Sequence, residues 1–325
     1  MEEKAKRSVR ETLLTIYGKA GILVILLIMA ILLSAFTSTF LTYRNLINVL
    51  RQVTFYSIIG FGEMVIIITG GFDMSAGSIV GLTSILTAML AQKAGMPVVM
   101  YFLLAACVGL AVGIFNGGLV AYVGVPPFIA TMGSQIICRG LALLISNGKP
   151  VNGLNENFIK IGTGSFGPIP IPIVIMAIVC LITWYLMKYT KTGRHIFAVG
   201  GNATAALVSG IKTKNIKMFV FLYEGLLCGI AGMVLTARVS SGQPSLGEGY
   251  EMQAIAGAVI GGVSLSGGVG SVYGVICGAL VIGVLNNGMD LLNINGYWQQ
   301  IAQGSIIVIA VVLDILRQRT ANRRG

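Results

Sequence analysis

Four charged side chains and a band of neutral amides and hydroxyls interrupt otherwise apolar stretches of this chain. The charged ones are Glu63, Arg139, Glu224 and, at the edge of an apolar run, Asp290. The neutral ones are Asn116, Thr131, Ser134, Gln135, Asn286, Asn287, Gln299, Gln300 and Gln303. The sequence holds no nucleophile elbow, no paired-histidine metal motif and no phosphate-binding loop ending in Gly-Lys-Ser/Thr. Cys107, Cys138, Cys180, Cys228 and Cys277 each fall in an apolar run, none at metal-ligand spacing from another, and His195 is the only histidine. The residues thus predict neither a metal site nor a cofactor nor an enzyme. A few scattered carboxylates do not make a proton relay; they read better as buried pairs, and a partner for Arg139 among the glutamates stays open. Amides and hydroxyls both donate and accept, so they can exchange hydrogen bonds with an uncharged polar solute. They can equally join one helix to the next.

The elements that carry these residues must be membrane helices. Hydrophobic residues make up 55% of the 325 and charged ones 10%, against about a quarter charged in soluble domains. A bilayer core of about 30 Å takes roughly 20 helical residues. The apolar runs predict about ten spans, at 20–40, 46–69, 77–93, 98–122, 126–147, 171–188, 216–236, 252–266, 270–290 and 297–315. The fold class is an all-α polytopic membrane protein, one transmembrane domain over 1–325, with no cleaved signal segment.

Basic residues set the orientation. Lys4, Lys6, Arg7, Arg10 and Lys19 precede the first span, and Lys188, Lys191, Arg194, Lys212, Lys214 and Lys217 flank the loop after the sixth. Arg317, Arg319, Arg323 and Arg324 follow the last. An even number of spans puts all three groups on one side, the cytoplasmic one by the positive-inside rule. The N-terminus (1–19), the loop 189–215 and the C-terminus (316–325) are then cytoplasmic, and the loop 148–170 lies outside. This asymmetry accounts for the net charge of +11 without nucleic acid. Trp184, Tyr185, Lys188 and Tyr189 form one interfacial belt, and Tyr297 and Trp298 mark the other. Two outside loops, Asn147 to Pro172 and Arg238 to Glu251, are connectors or partner contacts.

Glycine is patterned. Gly109, Gly113 and Gly117 recur every four residues, as do Gly270, Gly274 and Gly278, and the pairs Gly225/Gly229 and Gly257/Gly261. Each set lies on one helix face and lets backbones approach where lipid gives no hydrophobic drive for association. A shift of 170 residues pairs Gly62 with Gly232, Ser75 with Ser245, Gly77 with Gly247, Gly113 with Gly283, Asn116 with Asn286, Gly118 with Gly288, and Phe128 with Trp298. One offset carries spans 2–5 onto 7–10, which run the opposite way, the pattern of an inverted repeat.

The loop from Thr190 to Lys217 reads as structured. Gly200 and Gly201 end one element, Asn202 can cap a new helix, Ala203 to Ser209 favours helix, and Gly210 stops it. Such a helix either transmits force to a soluble partner or merely connects two spans.

This loop, GRHIFAVGGNATAALVSGI, resembles that of permease subunits of bacterial ABC importers of the ribose-type monosaccharide class. ITGGFDMSAGSIVGL at 68–82, the Gly-rich stretch 240–274 and GALVIGVLNNGMDLL at 278–292 agree, in order, from about Asn45 to Asp314. The resemblance implies a multi-pass protein of the bacterial inner membrane that imports a monosaccharide by alternating access. Its partners would be a cytoplasmic ATPase subunit, a periplasmic or lipid-anchored sugar-binding protein and a second permease subunit, as a homodimer. Gly201, Asn202, Ala205, Ala206, Ser209 and Gly210 would form the coupling helix on the ATPase. Spans five and ten would line the pathway, with Phe128, Thr131, Gln135, Gln299 and Gln303 near it, and Asn116 and Asn286 as further polar candidates. Other cargoes on this scaffold are a nucleoside, a sugar-derived signal or a branched-chain amino acid; an ion-coupled carrier is the reading from another class.

Overall fold

The computed structural model describes residues 21–93 and 95–322. The basic residues Lys4 to Lys19, with Arg323 and Arg324, lie outside the described residues. The chain forms α1 (Gly21–Phe36), α2 (Tyr43–Ile68), α3 (Ala76–Ala91), α4 (Val98–Gly118), α5 (Pro127–Ser146), α6 (Glu156–Thr163), α7 (Ile171–Tyr189), α8 (Lys191–Gly201), α9 (Ala203–Val208), α10 (Thr213–Val239), α11 (Tyr250–Ile260), α12 (Val272–Leu291) and α13 (Gly296–Asn322). A π-helical turn, Leu119–Val123, prolongs α4 and ends where Gly124 turns left-handed (φ 87°). Among the described residues six helices are long and apolar enough to cross a membrane: α2, α4 with its π-turn, α5, α7, α10 and α12. The protein is a helical, multi-pass membrane protein.

One expectation needs correction. The run at 252–266 is not one helix: α11 stops at Ile260 after 11 residues, about 16 Å of rise. Gly262 turns left-handed there, its N–H donating to Val259 and that of Val263 to Ala258, so the helix end satisfies its own carbonyls. The stretch 148–170 connects α5 to α7 and carries short elements of its own. Asn155 caps α6, and a short antiparallel hairpin follows, Ser165–Phe166 (β1) paired with Ile169–Pro170 (β2). Phe158 of α6 is buried edge-on against Tyr101 of α4, ring centres 4.8 Å apart. The amide and carbonyl of Val151 pair with those of Gly242 at 2.8 Å each way, which ties this segment to the one after α10.

The core is built on α2, α10 and α12, the three most buried long helices, while α4, α5 and α7 turn most of their surface outward. Leu103, Ile136, Leu144 and Leu181 are among the exposed side chains. A surface so apolar suits lipid, not water. The four-residue glycines within helices work as their spacing predicts, whereas Gly270 precedes α12 and lies against the Ile68 side chain. Gly109 and Gly113 of α4 lie against the backbone of α10 at Gly225 and Phe221, and Gly257 and Gly261 of α11 against α12 at Gly278 and Gly274. A methyl group at any of the four α-carbons Gly109, Gly225, Gly261 or Gly278 would overlap a carbonyl of the facing helix. The Lys188 ammonium sits 5.1 Å and 5.3 Å from the ring centres of Trp184 and Tyr189.

Helix boundaries recur at the 170-residue offset. Tyr43–Ile68 maps onto 213–238, where the chain has Thr213–Val239. Val98–Gly118 maps onto 268–288, against Val272–Leu291. Packing recurs too: α3 and α4 pack on α10, while α11 and α12 pack on α2.

Candidate functional site

The first polar cluster surrounds the segment 69–75 between α2 and α3. Asp73 is buried, and its Oδ1 accepts from the Ser75 amide at 2.7 Å and the Ser75 hydroxyl at 2.5 Å. The carboxylate thereby holds the residue before the first turn of α3, where unpaired N–H groups favour negative charge. Asn116 of α4 donates its amide to Ser75 Oγ at 2.9 Å and accepts the Ser134 hydroxyl on α5. Thr131 Oγ1, also on α5, accepts the Met74 amide at 3.0 Å. Glu63 Oε2 accepts the Asp73 amide at 3.4 Å.

Asn116 and Thr131 thus hold neighbouring residues of the same segment, and both are fully buried and fastened to the protein. On the same helix α5, Phe128 is exposed and Gln135 partly so. Gln135 reaches toward Glu251 Oε1 on α11 at 3.4 Å. Arg139, one turn on, donates to the carbonyls of Pro244, Leu246 (3.3 Å) and Gly77 (3.3 Å). Its partners are backbone oxygens of two separate segments, not the glutamate left open above.

A second cluster joins α11, α12 and α13. Gln303 donates to Asn286 Oδ1 at 3.0 Å and accepts from Gln253 at 3.3 Å. Gln299 donates to Asp290 Oδ1 at 2.8 Å. Asn116 links α4 to α5, and Asn286, its mate at the 170 offset, links α12 to α13. Glu224 of α10 lies against Gly62 of α2 and accepts from the Cys228 thiol at 3.2 Å.

The third feature is the α8–α9 corner. Thr190 caps α8 by accepting from the Gly193 amide at 3.0 Å, and Asn202 Oδ1 caps α9 by accepting from Ala205 at 2.9 Å. Ser209 Oγ returns a bond to the Ala205 carbonyl at 2.9 Å. Gly210, at φ 85°, ends the helix, its N–H donating to Leu207 and that of Ile211 to Ala206. Only this left-handed glycine lets both bonds form. Ala206 is buried beneath the corner, while Leu207 and Val208, at 60% and 84% exposure, project from it.

Sequence reasoning passed over Asp73, Glu251 and Asn45 as site residues. Asp73 had a usable signal, a carboxylate two residues before a serine at a helix start. Among the described residues no cluster of three or more His, Cys, Asp or Glu could hold a metal ion.

These features belong to a helical membrane protein, and its relatives give its family. Residues 45–311 match the family described as the branched-chain amino acid transport system / permease component, and the chain belongs to that family. It is 41% identical to the ribose import permease protein of Bacillus subtilis (strain 168) over 91% of this chain and 92% of the relative. It is 40% identical to the ribose import permease protein of Escherichia coli (strain K12) over 91% and 93%. The D-allose transport system permease protein of the latter organism is 39% identical over 92% and 91%. No solved structure matches the chain.

Proposed function

We propose that this chain is the membrane-spanning permease subunit of an ATP-driven importer that moves a monosaccharide, ribose first among the choices, across the bacterial inner membrane. The observation that carries the reading is near-full-length identity of about two residues in five to ribose import permeases. The same chain is 36% identical to the galactose/methyl galactoside import permease of Escherichia coli (strain K12), which keeps the cargo class at monosaccharides.

The finer reading follows. The chain crosses the membrane ten times with both termini in the cytoplasm, the short α11 crossing together with the non-helical segment that follows it, and α2–α5 and α10–α13 form an inverted repeat. Recurring boundaries and reciprocal packing at the 170 offset support this, as do the loop contacts. Val151 meets Gly242 at one end, and Ile68 meets Gly268 at the other. Ala203–Val208, with Gly201, Asn202, Ala205, Ala206, Ser209 and Gly210, is the coupling helix, its exposed Leu207 and Val208 offered to an ATPase subunit. Two permease copies enclose the pathway between α5 and α13. Phe128, Gln135, Gln299 and Gln303 keep surface free for a sugar, while Asn116, Thr131 and Asn286 brace that wall. A sugar-binding protein delivers cargo to the outer loops, and the permease carries no ATPase site of its own.

The test is to co-express the chain with the ATPase and sugar-binding subunits, isolate the complex and measure ATP hydrolysis with ribose, allose and galactose. Ribose-stimulated hydrolysis and ATP-dependent uptake into liposomes support the reading. Uptake by the purified chain alone, driven by an ion gradient, overturns it.

A further inference from the structure

Three backbone segments distant in sequence meet beside the start of α9. Gly200, in the last turn of α8, presses its α-carbon against the carbonyl oxygen of Ile68, the final residue of α2. A methyl group there would overlap that oxygen and lie 2.7 Å from the Gly268 nitrogen. The Gly268 N–H donates to the same Ile68 carbonyl at 2.9 Å. Gly267 and Gly268, at φ 84° and 74°, adopt a conformation that keeps side chains out of the joint. Backbone rests on backbone, without the slack of intervening side chains.

Ile68 leads directly into the segment 69–75, which is held against α5 at two points. Gly71 lies beside the Pro127 ring, and the Met74 amide is bound by Thr131 Oγ1 at 3.0 Å. Ser75 is further tied through Asn116 to Ser134 of α5. An unbroken series of contacts therefore runs from the residue two before Asn202 to the helix that carries Phe128 and Gln135.

We propose that the Gly200–Ile68–Gly268 joint and the segment 69–75 are the mechanical link by which displacement of α9 moves α5. This makes Gly200 a positioning residue for transport, distinct from the groups that touch ATPase or sugar. The inference rests on the permease reading above. Packed elements transmit shifts because they have discrete arrangements, and a link is established only when both ends bias it.

The experiment uses the full permease–ATPase complex and follows amide hydrogen exchange with and without ATP plus vanadate. In the native chain, nucleotide should alter exchange in both α9 and residues 69–75. In Gly200→Ala the response of α9 should persist while that of 69–75 is lost. Uptake of radiolabelled ribose should fall about tenfold, within the usual range for coupled sites, while ATP hydrolysis continues. Gly118→Ala, whose added methyl meets nothing within 4 Å, should leave both intact. A native complex in which α9 responds and 69–75 does not overturns the link, as does normal uptake by Gly200→Ala. Should Gly200→Ala fail to assemble, the native exchange pattern alone decides. If no ATPase binds and α9 never responds, the permease reading itself has failed, and the link falls with it.

Discussion

Asn45 and Asn287, 242 residues apart, exchange amide hydrogen bonds of 2.9 Å and 2.8 Å. Both are buried, and Asn45 also donates to the Phe40 carbonyl at 3.0 Å. The pair locks the first turn of α2 to the last turn of α12. Stranding one buried polar group costs about 1–3 kcal/mol, whereas replacing both partners by apolar groups can be nearly neutral. Asn45→Leu or Asn287→Leu alone should lower the thermal midpoint of the purified permease, and the double variant should recover part of the loss. Simple additivity in the double-mutant cycle would show that the two amides act separately.

The α4–α10 contact predicts a sharper effect. Gly109 and Gly225 each face the other's carbonyl oxygen, so a side chain on either must drive the helices apart. Gly109→Val and Gly225→Val should sharply reduce the amount of monodisperse, protease-resistant permease extracted from membranes. Gly118→Ala, nearby on α4 but facing open space, should be extracted at native levels. Equal yields for all three would mean that this approach is not what holds the bundle together.

The glycine faces, the cap at Asn202 and the stop at Gly210 were legible because each depends on local spacing or on a backbone angle that few residues adopt. The short α11 was not. The apolar run at 252–266 reads as a span, yet the left-handed Gly262 ends the helix early, and hydropathy does not register backbone sign. The bracing role of Asn116 and Thr131 was equally hidden. An amide on a membrane helix looks the same whether it faces a solute or Ser75, and only the fold of 69–75 decides. Asn45 was passed over because its partner lies 242 positions away.

The α9 corner separates capping from conformation. Asn202→Ala removes a cap worth about 1 kcal/mol, and Gly210→Val places a β-branched residue at φ 85°, a strain of about 1–3 kcal/mol. Both should reduce recovery of the ATPase subunit with the permease, Gly210→Val more than Asn202→Ala, and ribose uptake should follow the same order. Asn202→Asp, which keeps an acceptor oxygen at the cap, should stay close to the native chain. Native uptake by Gly210→Val would remove the corner from the coupling path.

Arg139 makes the most demanding prediction because its guanidinium holds two chain segments at once. It donates to Pro244 and Leu246 on the segment after α10 and to Gly77 in α3. Hydrogen bonds from a charged donor are worth about 1.5–3 kcal/mol each, and a lysine ammonium cannot reproduce the planar fork. Arg139→Lys should therefore be only a partial substitute, and Arg139→Met should release the 241–249 segment. The readout is a cysteine at Ser245, which is exposed, labelled by a membrane-impermeant maleimide in intact cells. Labelling should rise from native to Arg139→Lys to Arg139→Met, and ribose uptake should fall in the same order. Unchanged labelling in Arg139→Met would mean that the close packing of Gly247 on Gly77 and Val80 holds the segment without help, leaving the arginine only a charge to be hidden.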